Sequence, residues 1–229
     1  MSKRFLATAR EAVAQGMILA LATCASPLSL RRVSQEIGAS LPVIGYHGAQ
    51  VLAADGTVLV EHALPKEPTT KLIKEMEEAE IPIRLFVDDV IWCNRVTPRV
   101  LRLGRHFGMP IQAREELADF LQVLERKVPM CDLGLPASCL TAVQERLTSM
   151  WQGDLRFVPS AYHSLFVTHA EASVGRAVER LAQHLGVARA QILAVGWDEA
   201  DEELFDAAGM TVALGNADEE LKELADSQV

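Results

Sequence analysis

The chain has 229 residues, 49% hydrophobic and 23% charged, which excludes wholesale disorder and leaves room for one large domain or two smaller ones. The net charge of −9 sits in the last 59 residues: 18 basic and 18 acidic residues cancel up to Ala170, while 4 basic face 13 acidic from Glu171 onward. An acidic quarter repels phosphate backbones and only 5% of residues are aromatic, so the expectation is a protein without a nucleic-acid partner.

The elements read as follows in chain order. Phe5, Ala9, Ala12 and Val13 share a helical face that Gly16 can end. Residues 17–22 form the longest apolar run, bounded by Gly16 and Pro27, and predict a strand buried on both faces. The run is too short for a membrane span, which needs about 20 residues. A signal peptide is the rival reading of this end, but Arg10 and Glu11 would interrupt its apolar core. Leu28, Val33 and Ile37 predict a helix closed by Gly38, and residues 42–44 a second buried strand. Asp55-Gly56 predicts a hairpin between residues 50–53 and 57–61.

From about residue 65 to 164 the pattern mixes helices (69–80, 99–107, 117–124, 137–151) with strands (83–87, 90–93, 128–133, 155–158). The strand at 155–158 predicts an antiparallel pair with 165–168, making an α+β module. Asp88-Asp89 reads as a solvated turn, and the acidic groups at 75–80 and 199–203 as exposed helix faces. An α/β rhythm then returns: helix 174–185, strand 192–195, helix 199–208, strand 210–214 and helix 218–225. The expectation is an α/β core of residues 1–64 and 165–229, carrying an α+β cap of residues 65–164. Cys24, Cys93, Cys131 and Cys139 have no metal-site or Cys-x-x-Cys spacing, as suits reduced thiols in the cytoplasm.

In their order along the chain, several passages resemble the haloacid dehalogenase superfamily, in its Cof-type branch with a large α+β cap. Ala20-Leu21-Ala22-Thr23 is similar to the strand that ends in Thr-Gly-Arg, and Pro42-Val43-Ile44-Gly45-Tyr46-His47-Gly48-Ala49 to the later Asn-Gly-Ala passage. Ser160, Val167 and Ser173-Val174-Gly175 lie where that branch returns from cap to core. Residues 194–201 resemble its Gly-Asp-x-x-Asn-Asp loop, and residues 207–217 its final strand and turn.

The resemblance implies a Rossmannoid parallel sheet and a phosphatase chemistry with defined parts. A strand-end Asp attacks phosphorus and a second Asp two residues on serves as acid and base. A Thr and a Lys hold the phosphoryl oxygens, and further carboxylates hold Mg²⁺. On this chain Thr23 keeps the phosphate-binding hydroxyl, although Cys24 and Ala25 replace the Gly and Arg that follow it. Val174 stands at the Lys position, Trp197 and Ala200 at the Asp and Asn of the metal loop, and His47 at the Asn of Asn-Gly-Ala. Asp201 keeps its place, and Asp198 is one position late for the lost Asp, so these two are the candidate metal ligands. The Asp-x-Asp strand, central in that sheet, would precede the first helix; Met1 falls after it. No catalytic residue is therefore assigned.

Each candidate also has a structural reading. Thr23 can cap the next helix, Asp198 can cap the helix starting at Glu199, His47 can be satisfied by backbone, and Trp197 can plug the cleft. The expectation is a haloacid dehalogenase homologue without phosphoryl transfer, retained for binding, regulation or scaffolding. The alternative is a Mg²⁺-dependent phosphatase of a small phosphorylated metabolite, its nucleophile strand supplied by upstream sequence or a partner. Omitting the central strand leaves either direct pairing of the strands at 17–22 and 192–195 or a gap filled by another segment or subunit, which makes a homodimer a further candidate.

Overall fold

The computed structural model describes residues 3–160 and 164–229. The chain opens with α1 (Lys3–Ala14) and a short β1 (Leu21–Ala22). Ser26 caps a 3-10 turn over Pro27–Leu30 that runs into α2 (Arg31–Ile37), and Gly38 closes that helix at φ 85°. β2 (Val43–Gly45), β3 (Gln50–Leu52) and β4 (Val58–Glu61) complete a four-stranded sheet ordered β1-β2-β3-β4. β1 runs parallel to β2 and the other pairs are antiparallel. The Asp55-Gly56 turn joins β3 to β4 as its sequence predicts, with Asp55 Oδ1 accepting the Thr57 N–H at 2.9 Å.

The next ten elements build one unit: α3 (Lys66–Glu78), β5 (Ile83–Val87), β6 (Val90–Cys93), α4 (Pro98–Phe107), β7 (Ile111–Ala113), α5 (Leu117–Val123), β8 (Met130–Leu133), α6 (Leu140–Met150), β9 (Leu155–Ser160) and β10 (Ser164–His169). Its six strands are ordered β7-β6-β5-β8-β10-β9. Strand alternation sends Ile83, Leu85, Leu133 and Leu165 to one face, where α3, α5 and α6 cover them. Phe86, Met130 and Phe166 point to the other face and pack on Tyr46, Ala49, Cys24 and Ala200 of the core. The chain re-enters the core only after β10, which lies between β8 and β9.

The last part supplies α7 (Val174–Leu185), β11 (Leu193–Gly196), α8 (Glu202–Asp206), β12 (Met210–Ala213), α9 (Glu219–Leu224) and β13 (Ser227–Gln228). Its three strands form a separate parallel sheet, β11-β12-β13. α7 packs on β2, β3 and β4 and also on α8, so a helical layer ties the two core sheets together. The fold is α/β with a cap, as the sequence implies.

Two expectations fail at the same place. Only Leu21–Ala22 of residues 17–22 is strand, and Met17 and Ile18 are each 56% exposed rather than buried on both faces. Leu193 and Val195 of β11 are exposed to a similar degree. Direct pairing of these strands is also overturned, because β1 and β11 lie in different sheets. The cause is common: among the described residues β1 is bonded only to β2 and β11 only to β12, so each has an edge without a described neighbour. Leu21 and Thr23 donate to Pro42 and Ile44, so by ladder alternation Ala20 and Ala22 turn their amides to the open side.

Candidate functional site

The carboxyl ends of β1 and β11 meet below the cap. Thr23 follows β1, and its Oγ1 accepts the Ala25 N–H at 3.1 Å. The helix-capping role falls instead to Ser26, which accepts from Leu28, so Thr23 is not the cap. The Ser26 hydroxyl also donates to Asp89 of the cap hairpin, so the Asp88-Asp89 turn is a cap–core contact rather than a wholly solvated one. Cys24 marks the convergence. Burial pushes its thiol pKa up to about 12, and Asp132 of the cap and Asp198 and Asp201 of the core add to the shift.

After β11, Asp198 caps the turn of Glu199–Asp201, its Oδ1 accepting from Ala200 at 3.1 Å. Asp201 reaches back, and its Oδ2 accepts from Trp197 at 2.9 Å and from Asp198 at 3.3 Å. Burial raises the Asp201 carboxyl above its ordinary value. Each carboxylate thus commits one oxygen to backbone and keeps one. Trp197 follows β11 directly and is 39% exposed. Ala200 packs against the cap-facing cluster and offers no polar group.

The third corner joins β2 to α7. Tyr46 and His47 both adopt positive φ, and Gly48 at φ 89° lies so near α7 that a Cβ there would stand 2.2 Å from the Ser173 carbonyl oxygen. His47 is buried against Phe166, ring centroids 4.8 Å apart, and its Nε2 has no hydrogen-bond partner. The expected backbone satisfaction of that nitrogen is absent among the described residues. Burial, helped by Arg156, lowers its pKa to about 4, so the ring is neutral at pH 7.

Val174 opens α7 and is buried in the core. Around it an ion pair has been built that the sequence did not announce. Arg156 of β9 contacts Glu203 of α8 at 2.5 Å and donates to the Ala172 carbonyl at 2.7 Å. Glu203 also accepts from the Ser173 hydroxyl at 2.9 Å and the Val174 N–H at 3.2 Å. Glu203 is therefore half-buried and bonded, not part of a merely exposed acidic face. The cation in this corner is Arg156, and Glu203 neutralises it.

Comparison with known proteins settles the family. The haloacid dehalogenase-like hydrolase profile matches residues 1–229. The chain belongs to that family. A solved haloacid dehalogenase-like hydrolase from Bacteroides thetaiotaomicron superposes with a TM-score of 0.87 at 23% identity, covering 100% of this chain and 86% of its own. A Bacillus subtilis haloacid dehalogenase-like hydrolase gives 0.88 at 20% identity, covering 99% and 87%. Among curated relatives, Phosphatase YwpJ of Bacillus subtilis is 37% identical over 89 residues, which is 37% of this chain and 31% of that protein. Phosphoglycolate phosphatase 1 of Saccharolobus solfataricus is 33% identical over 96 residues, 42% of this chain and 41% of that protein. The chain thus spans less than half the length of these two relatives. HMP-PP phosphatase of Yersinia pseudotuberculosis is 26% identical over 210 residues, 91% of this chain and 75% of that protein. No helix among the described residues is long and apolar enough to cross a membrane.

Proposed function

We propose that this chain forms the body of a phosphatase acting on a small phosphorylated metabolite, with the nucleophilic Asp carried on a strand that enters between β1 and β11. That strand comes from upstream sequence or from a partner. The observation that carries this reading is the open slot. A chain adapted to live without a central strand would shield the two edges with charge or proline. Residues 17–22 carry neither, and Met17, Ile18, Leu193 and Val195 stand there half-exposed. They are dressed for an interior. The relatives bear phosphatase names, which supports the phosphate-ester part of the reading. In this arrangement Thr23 offers its hydroxyl to the phosphoryl group at the end of β1.

Asp198 and Asp201 do not make a Mg²⁺ site alone. No group of three metal-binding side chains occurs among the described residues, and each of these carboxylates has an oxygen spent on backbone. Mg²⁺ keeps several waters and takes one or two carboxylates plus substrate phosphate, so the free oxygens of Asp198 and Asp201 would supply only part of its shell. Metal dependence would rest on ligands brought by the added strand.

A second reading has its own observation. Val174, Trp197 and Ala200 stand where the family pattern has a Lys, an Asp and an Asn, which favours a homologue retained for binding, regulation or scaffolding without turnover. The experiment is p-nitrophenyl phosphate hydrolysis by the 229-residue chain and by the chain carrying the sequence encoded upstream, each with Mg²⁺ and with EDTA. The phosphatase reading expects hydrolysis only in the extended protein with Mg²⁺, abolished by Thr23→Ala and Asp201→Ala. An inert extended protein leaves the second reading standing.

A further inference from the structure

The chain leaves the core for the cap at one point and returns at another, and backbone bonds locate both. The His62 amide is held by Ala49 of the core, whereas the Leu64 amide is held by Val128 of the cap, so the outward crossing is at Ala63. His169 ends β10 opposite Leu155 of the cap, and Ser173 already caps α7 of the core, so the return crossing spans residues 170–172. Any hinge between cap and core turns on these two segments, where the chain passes from one unit to the other.

One pair of side chains joins the two crossings. The imidazoles of His62 and His169 stack with ring centroids 5.4 Å apart and planes 19° from parallel. One ring belongs to the last core-bonded residue of the outward segment, the other to the last cap-strand residue before the return. His169 is committed further. Its Nδ1 accepts the Glu171 N–H at 3.0 Å and its carbonyl accepts the Ala172 N–H at 2.9 Å, which folds the return segment into a turn. An accepting Nδ1 carries no proton. A proton on His169 would end the bond from Glu171, and protons on both rings would set two like charges face to face.

The charges around the rings do not cancel that repulsion. Burial and the His169 ring lower the His62 pKa below its ordinary 6.5, Glu171 opposes the shift, and Arg176 of α7 adds to it. Glu171 and Arg176 pair with each other at 2.7 Å, so Glu171 is not a counter-ion reserved for the rings. Beside the crossings, Glu61 of β4 pairs with Lys127 and Arg156 of β9 pairs with Glu203 of α8. We propose that His62 and His169 form a proton-sensitive clasp on the cap hinge: neutral, the stacked rings hold the two crossing segments together, and protonated, they repel and free the cap to swing from the core. Because the folded His62 ring binds its proton less readily than an ordinary imidazole, the clasp is intact above about pH 6.5 and is lost as pH falls through the lowered value. The clasp is a property of the hinge and holds with or without phosphate-ester turnover.

The test is amide hydrogen exchange of the full chain at about pH 7.5 and about pH 5.5, corrected for the intrinsic pH dependence of exchange. His47, with a pKa of about 4, is neutral at both and does not contribute. Protection of the Leu64 and Ala172 amides should fall at least fivefold at the lower pH, while the amides of β5 keep theirs. In His62→Phe/His169→Phe, which can stack but cannot titrate, protection should hold at both values. His62→Lys, a fixed charge beside the second ring, should show the low protection already at about pH 7.5. Ring titration by NMR adds a reading that a merely structural contact would not move: His169→Gln should raise the His62 pKa toward 6.5, because the His169 ring helps to lower it. Equal losses of protection in the parent and the double variant, a His62 titration indifferent to His169, or a loss spread evenly over cap and core would each overturn the proposal.

Discussion

In the six-stranded cap sheet each inner strand is bonded on both sides, and Ile83, Leu85 and Leu165 are wholly buried. In the core, β1 and β11 are each bonded on one side, and Ile18, Leu193 and Val195 keep about half their surface in solvent. The two regions have equally apolar strands. The difference lies in the company those strands keep, so hydrophobicity alone does not decide whether a strand is interior. A strand bonded on one side loses packing on its flanks as well as backbone bonds, and its side chains then contribute little to stability.

The largest effect expected from this contrast is in the cap. Leu85→Ala removes a wholly buried side chain between α3 and the sheet, and should cost about 3 kcal/mol in urea unfolding. A loss below about 1 kcal/mol would mean that the cap is no better packed than the open core.

His47 sits on the seam between the regions, and its effect is next in size. Its ring faces Phe166 from the cap side and Arg156 from β9, with Glu203 across the same corner. The folded pKa is about 4 against an ordinary 6.5, so the unfolded chain binds the proton first. Stability from this group is full above about pH 6.5 and falls as pH drops toward 4, by about 3 kcal/mol in total. His47→Asn, a residue that accepts the positive φ, should flatten that part of the stability–pH curve. Parallel curves for the two proteins would show that the ring reaches water.

Helix caps give smaller, paired effects. Thr97 caps α4 in the cap by accepting from Val100, and Ser173 caps α7 in the core by accepting from Arg176 while its hydroxyl donates to Glu203. Thr97→Ala should cost about 1 kcal/mol. Ser173→Ala should cost somewhat more, about 1 to 2 kcal/mol, because a bond to a charged group is lost as well. Equal costs would indicate that the Glu203 contact adds nothing in solution.

Much of this architecture could be read from local pattern. The Asp-Gly turn, the Gly38 stop and the strands at 83–87 and 90–93 fall where periodicity and turn chemistry put them. β7 was missed because three residues at a sheet edge carry almost no period, and β13 because Ser-Gln has no strand propensity. The exposure of residues 17–22 was illegible for a deeper reason: the sequence of a strand records the neighbours it suits, not those present. Motif order placed Thr23, Asp198 and Asp201 at one site, but not the Arg156–Glu203 pair, which joins residues 47 positions apart. Arg84 and Asp132, a buried ion pair, did leave a signal: a lone charge inside each of two chiefly apolar strands.

The smallest expected effect is the one that most sharpens the contrast between regions. Ile18→Lys and Val195→Lys each put a charge on an edge that now faces water, and exposed substitutions away from special features usually shift stability by less than about 0.5 kcal/mol. In the 229-residue chain both variants should therefore unfold within that margin of the parent. With the upstream sequence attached and the slot filled, the same ammonium groups would be pressed between paired strands, where an unpaired charge costs several kcal/mol. The comparison is a pair of urea curves for each variant, with and without the extension. A large loss in the short chain would show that β1 and β11 close on each other in solution, and the distinction drawn between core and cap would fail. Indifference in both proteins would show that the added strand goes elsewhere. Only sensitivity confined to the extended protein fits an interior waiting for its central strand.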